Sequence, residues 1–257
     1  MYYIIQKNVF VDPRYDEIFR VLEALNLPFE EVQFFPNSND FEYKTTRKDV
    51  FVYGSVKLAK VTKNFDWQPG SFYGGNHEYV NYANGFGEFL LNPNNQIFDF
   101  SDTLDWTNHE RLFIKPSQDA KSFTGKVFTK VEWEDFQYYT LSDKRQNRIK
   151  STTKIQTSTP QKLIKEARIW IVNRQIVTSS YYHFYDGIEY EEFVSDEALA
   201  FAKQMANHFN VADAYVLDIA LTLEDWRVVE VNCINSAGFY KADVKAIVLA
   251  LEAFYKN

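Results

Sequence analysis

Two apolar, strand-like runs stand a short turn apart late in the chain, and each is interrupted by acid. They are Val216-Leu217-Asp218-Ile219-Ala220 and Val228-Val229-Glu230-Val231-Asn232. Strand side chains alternate between faces, so Glu230 and Asn232 share one face, about 7 Å apart. The polar segment Leu223 to Trp226 reads as a hairpin turn, and a turn centred on Glu224 sets Asp218 opposite Glu230. Facing carboxylates repel, more strongly when half-buried, unless a cation lies between them. Two carboxylates with an amide oxygen suit Mg²⁺, which keeps waters and shares its shell with substrate phosphates. A solvated hairpin face with a chance acid pair carries the same pattern, and spacing alone does not choose between the two.

The rest of the chain narrows the setting. With 257 residues, 46% hydrophobic and 18% aromatic, there is core enough for a protein of two or three lobes and little room for disorder. A formal charge of -7 argues against a broad grip on nucleic acid, so any phosphate site must be local. The single Cys233 has no internal disulfide partner and reads as a packed small residue. The opening residues carry no basic segment leading into a long apolar one, and no later run approaches membrane-spanning length; the expectation is a soluble, unprocessed, cytoplasmic protein.

Tyr2 to Gln6 reads as a strand, with Asp12-Pro13 as the cap and first position of a helix over Arg14 to Leu25. Glu31 to Phe35 and Val50 to Tyr53 continue a small α/β lobe with a parallel sheet, expected to fill residues 1–107. Between Trp67 and Asn95 the texture turns to Gly, Asn and aromatics, which reads as a long packed connection. Residues 108–257 form the remainder, divided into 108–160 and 161–257. Strands are expected at Arg111–Lys115, Lys126–Lys130 and Thr152–Thr157, with a helix at Glu132–Leu141. Lys165–Val172 and Gln175–Tyr182 form a hairpin about Asn173-Arg174, with Ala167, Ile169 and Ile171 toward the core. A two-residue turn there pairs Arg168 with Ser179 and Glu166 with Tyr181. Helices are expected from the Ser195 cap to Phe209 and over Ala242–Lys256.

Glu230-Val231-Asn232 followed by Asn235-Ser236-Ala237-Gly238 resembles the terminal metal-binding signature of ATP-grasp enzymes. Phe113-Ile114-Lys115-Pro116 and Lys121-Ser122-Phe123-Thr124-Gly125 resemble the nucleotide-binding strand and phosphate loop of one branch, the arginine/lysine clade. That branch was formerly a domain of unknown function and is common in bacteriophage genomes. Tyr53-Gly54-Ser55, Trp67-Gln68-Pro69-Gly70 and Glu166-Ala167-Arg168 fall in the same order as in that branch. The resemblance implies an α/β ATP-grasp fold whose nucleotide-binding lobe (108–160) and metal-binding lobe (161–257) follow the first lobe. It implies that Lys115 contacts the α- and β-phosphates and that Lys121 and Gly125 belong to a lid over them. Arg168 would stabilise the transferring γ-phosphate with Glu166 orienting it, and backbone groups of Lys154 to Ser158, Gln156 included, would recognise adenine. Asp218, Glu230 and Asn232 would hold Mg²⁺. The implied activity is ATP- and Mg²⁺-dependent ligation of a carboxylate to an amine through an acyl phosphate, on small-molecule, peptide or protein substrates. The alternatives are a kinase using the same clamp and a nucleotide-dependent binding protein without ligation.

Other motifs fail. His77-Glu78-Tyr79-Val80-Asn81 begins like a zinc-protease helix but has Asn where the second ligand belongs, and Gly125-Lys126 lacks Walker-loop spacing. The four histidines, at 77, 109, 183 and 208, are dispersed.

Overall fold

In the computed structural model, residues 1–9, 14–35, 38–117, 122–143, 145, 148–185 and 187–255 are described. Parallel pairing opens the fold. Strand β1 (Tyr2–Gln6) lies between β2 (Phe29–Val32) and β3 (Val50–Tyr53), with helices α1 (Glu17–Ala24) and α2 (Val56–Thr62) connecting or following them. Helix α1 begins at Glu17, with Asp16 at its cap, three residues later than the pattern suggests. Arg14 to Asp16 form a turn, and Arg14 Nε donates to Glu17 at 2.7 Å. The expected Asp12-Pro13 cap lies outside the described residues.

The aromatic connection is not loop alone. It contains α3 (Tyr79–Phe86), flanked by short 3-10 turns at Gly75–His77 and Gly87–Phe89. Asparagine and Gly85 hide this helix from a propensity reading. Gly85 is there for packing: a Cβ at that position would come within 2.5 Å of the Phe209 ring.

The next sheet has the order β4-β7-β5-β6, all antiparallel: β4 (Gln96–Asp99), β7 (Lys154–Ser158), β5 (Leu112–Pro116) and β6 (Lys126–Phe128). This sheet therefore takes in residues upstream of 108. Helix α4 (Lys130–Ser142) covers one face and is closed by a Thr129–Glu132 capping box. Phe100, Leu112, Ile114, Phe128, Trp133 and Ile155 make the core between them, each side chain stabilising the lobe by roughly 1.5–3 kcal/mol on burial.

The larger sheet, β11-β10-β8-β9, is antiparallel throughout: β8 (Lys165–Val172), β9 (Gln175–Phe184), β10 (Ala214–Leu221) and β11 (Trp226–Cys233). The β8–β9 turn is the expected two-residue one, with Asn173 and Arg174 at φ 49° and 58°. Its register is not. Bulges between Trp170 and Ile171 and between Glu166 and Ala167 move Arg168 opposite Ser180 and Glu166 opposite His183. Ala167, Ile169 and Ile171 face the core under α5 (Asp196–His208), whereas Trp170 and Val172 face α6 (Val244–Tyr255) and the first lobe. No helix among the described residues is long and apolar enough to cross a membrane.

A single side chain joins the first lobe to the end of β11. Asn235 is fully buried, its Nδ2 donates to Val52 O at 2.6 Å and Gly70 O at 2.9 Å, and its Oδ1 accepts from Phe72 N at 2.8 Å. Its carbonyl accepts from Gly54 N at 2.8 Å.

Candidate active site

The hairpin carrying the acids brings Asp218 opposite Glu230, as expected, by a different route. The turn pairs Leu221 with Trp226 and Ile219 with Val228, one residue off the expected register; a bulge at Val229 then restores the Asp218–Glu230 pair. The repulsion between them is relieved by side chains. Arg168, directly across β10 from Asp218, binds it bidentately, Nε to Oδ1 at 2.9 Å and Nη2 to Oδ2 at 2.7 Å. Asn232 Nδ2 donates to Asp218 Oδ2 at 2.9 Å and to Glu230 Oε1 at 3.3 Å, linking the two acids. Glu230 Oε2 accepts from Lys115 Nζ at 3.0 Å, a contact that crosses from the larger sheet to β5. Burial pushes the Glu230 carboxyl up, but Lys115, Arg168 and Asn232 outweigh it and hold the pKa down at about 2.

Arg168 has 7% of its surface exposed and Asp218 has 2%. The guanidinium also donates from Nη1 to Gly238 O at 3.2 Å and stacks over the Tyr240 and Tyr182 rings, 4.6 and 5.7 Å from their centroids. It is held from every side. Tyr182 stacks on Tyr240, which stacks on Tyr190, and Tyr240 adopts a left-handed backbone at φ 52°.

Glu166 lies on the same strand, buried, with its pKa raised by burial and further by the charges of Asp218 and Glu230. Tyr182 donates to its Oε2 at 2.7 Å, and His183 Nδ1 stands 3.2 Å from Oε1 without the alignment of a hydrogen bond.

Two adjoining cavities form a cleft between the sheets. The larger, about 950 Å³, runs from Phe113 and Val127 past the 160–164 linker to Glu166 and Tyr182. The smaller, about 310 Å³, is bounded by Ser117, Gln156, His77 and Asn232. Lys115, Gly125 and Glu230 border both. Such volumes suit a small-molecule ligand. Gly125 is required where it lies, since a Cβ there would stand 2.6 Å from the Lys115 Cβ and 3.0 Å from the Phe113 ring.

Strand β7 departs from the expectation for adenine. It is central, paired with β4 through Lys154 to Thr157 and with β5 through Ile155 to Ser158, so its backbone groups are taken by its neighbours. Lys154 is ion-paired with Asp99 at 2.7 Å, away from the larger cavity. Gln156 is buried, accepting from Asn95 at 2.7 Å and bordering the smaller cavity. Unpaired backbone facing the larger cavity begins beyond Ser158, in the linker. Lys121 lies outside the described residues.

Among the described residues no cluster of three or more His, Cys, Asp and Glu side chains is arranged to hold a metal ion. A metal site here rests on two carboxylates completed by an amide. That donor set fits Mg²⁺: Asn232 already touches both acids, and half a turn of its amide presents Oδ1 in place of Nδ2.

The family model of the ATP-grasp domain, arginine/lysine clade family 3, matches residues 85–251, and the chain belongs to that family. Among solved structures, the D-cycloserine synthetase DcsG superposes with a TM-score of 0.65 at 8% identity, over 98% of this chain and 99% of that one. The D-alanine–D-alanine ligase of Bacillus anthracis gives 0.64 at 11% identity, over 97% and 91%. The ATP-grasp ligase PsnB, complexed with minimal precursor, Mg and ADP, gives 0.57 at 13% identity, over 100% and 98%. At these identities the likeness is one of fold. No curated protein matches the sequence.

Proposed function

We propose that the protein is an ATP- and Mg²⁺-dependent carboxylate–amine ligase acting through an acyl phosphate. The observation that carries this reading is the convergence of Lys115, Glu230, Asn232 and the Asp218–Arg168 pair on one cleft between two sheets, in a chain of the ATP-grasp family. ATP lies with its base toward the linker at 159–164, in the larger cavity, and its phosphates toward Lys115 and Gly125. Asp218, Glu230 and Asn232 would hold Mg²⁺, which when bound supplies positive charge against the transferring phosphoryl group. A substrate carboxylate attacks the γ-phosphorus and ADP leaves; the amine then attacks the acyl carbon, phosphate leaves, and an amide remains.

The side chains divide this work. Lys115 exchanges Glu230 for phosphate oxygens when nucleotide enters, and Lys121 closes over the phosphates from the loop. Arg168 keeps two N–H groups beyond those bound to Asp218 and Gly238, so it can hold the carboxylate and face developing charge together. The stacked Tyr182 and Tyr240 restrict it to that geometry. PsnB, complexed with a precursor peptide and AMPPNP, makes a peptide a reasonable first class of substrate. The test is product analysis with amino acids, peptides and cell extract as substrates. ADP, phosphate and an amide are expected, with hydroxylamine trapping a hydroxamate when amine is omitted. AMP with pyrophosphate, or a stable phosphoester, would overturn the mechanism.

A further inference from the structure

A third cavity, about 410 Å³, lies on the other side of His77 from the cleft. His77 borders both spaces, and it is the discarded metalloprotease-like histidine. The residue is 6% exposed. Its Nδ1 stands 3.1 Å from Gly74 O, which makes Nδ1 the N–H donor and leaves the lone pair on Nε2. Nε2 is buried without a hydrogen-bond partner. Burial, aided by nearby Lys63 and opposed by the Gly74 contact, lowers the ring pKa to about 4, so the imidazole is neutral at pH 7. A buried acceptor left without a donor costs roughly 1–3 kcal/mol, which an arriving N–H group recovers.

The cavity rim is built for the rest of such a ligand. Lys60, its ammonium 6.0 Å over the Tyr73 ring, and Lys154 supply positive charge. Glu78 supplies one carboxylate, and the exposed Ile97 offers an apolar surface. A molecule carrying an amine, a carboxylate and an apolar body answers all of these groups.

We infer that this cavity seats the amine-bearing substrate, an apolar α-amino acid or dipeptide, with its amine on His77 Nε2 and its carboxylate on Lys60 and Lys154. The inference rests on the ligase reading, and it names the substrate class that reading leaves open. Seating the amine against His77 puts it one side chain away from the cleft bordered by Lys115, Glu230 and Asn232, where the acyl phosphate forms.

The test uses the full chain with ¹⁵N-labelled histidine, the His77 ring signal being identified by its loss in His77→Asn. L-leucine and the dipeptide Ala-Leu are titrated, with isoamylamine and isocaproate as analogues lacking the carboxylate or the amine. Leucine or the dipeptide should shift the His77 signal saturably, the analogues should bind more weakly, and Lys60→Glu should weaken binding roughly tenfold. No shift with either probe, or unchanged affinity in Lys60→Glu, overturns the inference. Thermal stabilisation by Mg-ATP, measured on the same samples, separates the two readings. Nucleotide binding without a His77 response removes the cavity proposal alone; a His77 response without nucleotide binding removes the ligase reading and this cavity's role as its substrate site.

Discussion

On the β8–β11 side of the cleft, charge is enclosed and answered more than once: Asp218 meets both Arg168 and Asn232, and Arg168 meets Asp218, Gly238 and two tyrosine rings. On the β5 side, Lys115 makes one ion pair, with Glu230, whose side chain is 36% exposed. The first arrangement resists change, since breaking any part strands a buried charge. The second is easily exchanged, because a half-solvated pair is worth little. A catalytic cleft needs both, a fixed receptor on one wall and a replaceable contact on the other.

The sharpest attempt to break this comparison is Asp218→Ala. Arg168 then remains buried without its counter-charge, and chemical denaturation should show a loss of about 3–5 kcal/mol. A loss under about 1 kcal/mol would mean that the enclosed network is no firmer than the exposed contact. Glu230→Gln keeps shape and Asn232 contact while removing charge. ADP formation should fall on the order of 100-fold, with little change in unfolding midpoint. Unchanged turnover would take Glu230 out of the metal role.

Lys115→Met tests the opposite wall. Stability should move by less than about 1 kcal/mol, whereas calorimetry should show Mg-ATP affinity reduced roughly tenfold. Equal affinity in the variant would assign phosphate capture to other cations.

The smallest effect separates both walls from the partition beside them. Between pH 7 and 5, Glu230, with its pKa about 2, stays ionised in the folded state. His77 differs: its folded pKa, about 4, lies below its ordinary 6.5, so the unfolded chain binds the extra proton and stability falls as pH drops through this range. Glu166, raised by burial, acts in the opposite sense. Urea titrations of the protein and His77→Asn should isolate the histidine contribution as a reduced loss on acidification in the variant. Identical pH profiles would show that the ring is solvated.

Local patterns were well represented in the sequence. Period-two alternation marked β8, β10 and β11, and Asn173-Arg174 marked its turn because few residue pairs accept two left-handed conformations. The bulges were not legible: an extra residue at Val229 leaves the hydrophobic pattern almost intact while changing which residues oppose one another. Helix α3 escaped because Gly85, poor for a helix, is fitted to Phe209 at the end of a distant one. At the candidate site, Asp218, Glu230 and Asn232 were visible as ligand types on a shared face. The partners of Arg168 and Lys115 were not, since Asp218 and Glu230 reach them only through tertiary packing. The backbone expectation at Lys154 to Ser158 failed because no local signal distinguishes a central strand from an exposed one.

Asn235 extends that distinction into evolutionary time. It sits within the segment that resembles the family signature, yet its side chain is consumed in fastening Val52, Gly70 and Phe72 to the end of β11. Selection for folding alone preserves it. A descendant that had lost Glu230 and its chemistry would keep Asn235 for as long as it kept its shape, so the two halves of the motif record different histories: Glu230 that of the reaction, Asn235 that of the scaffold.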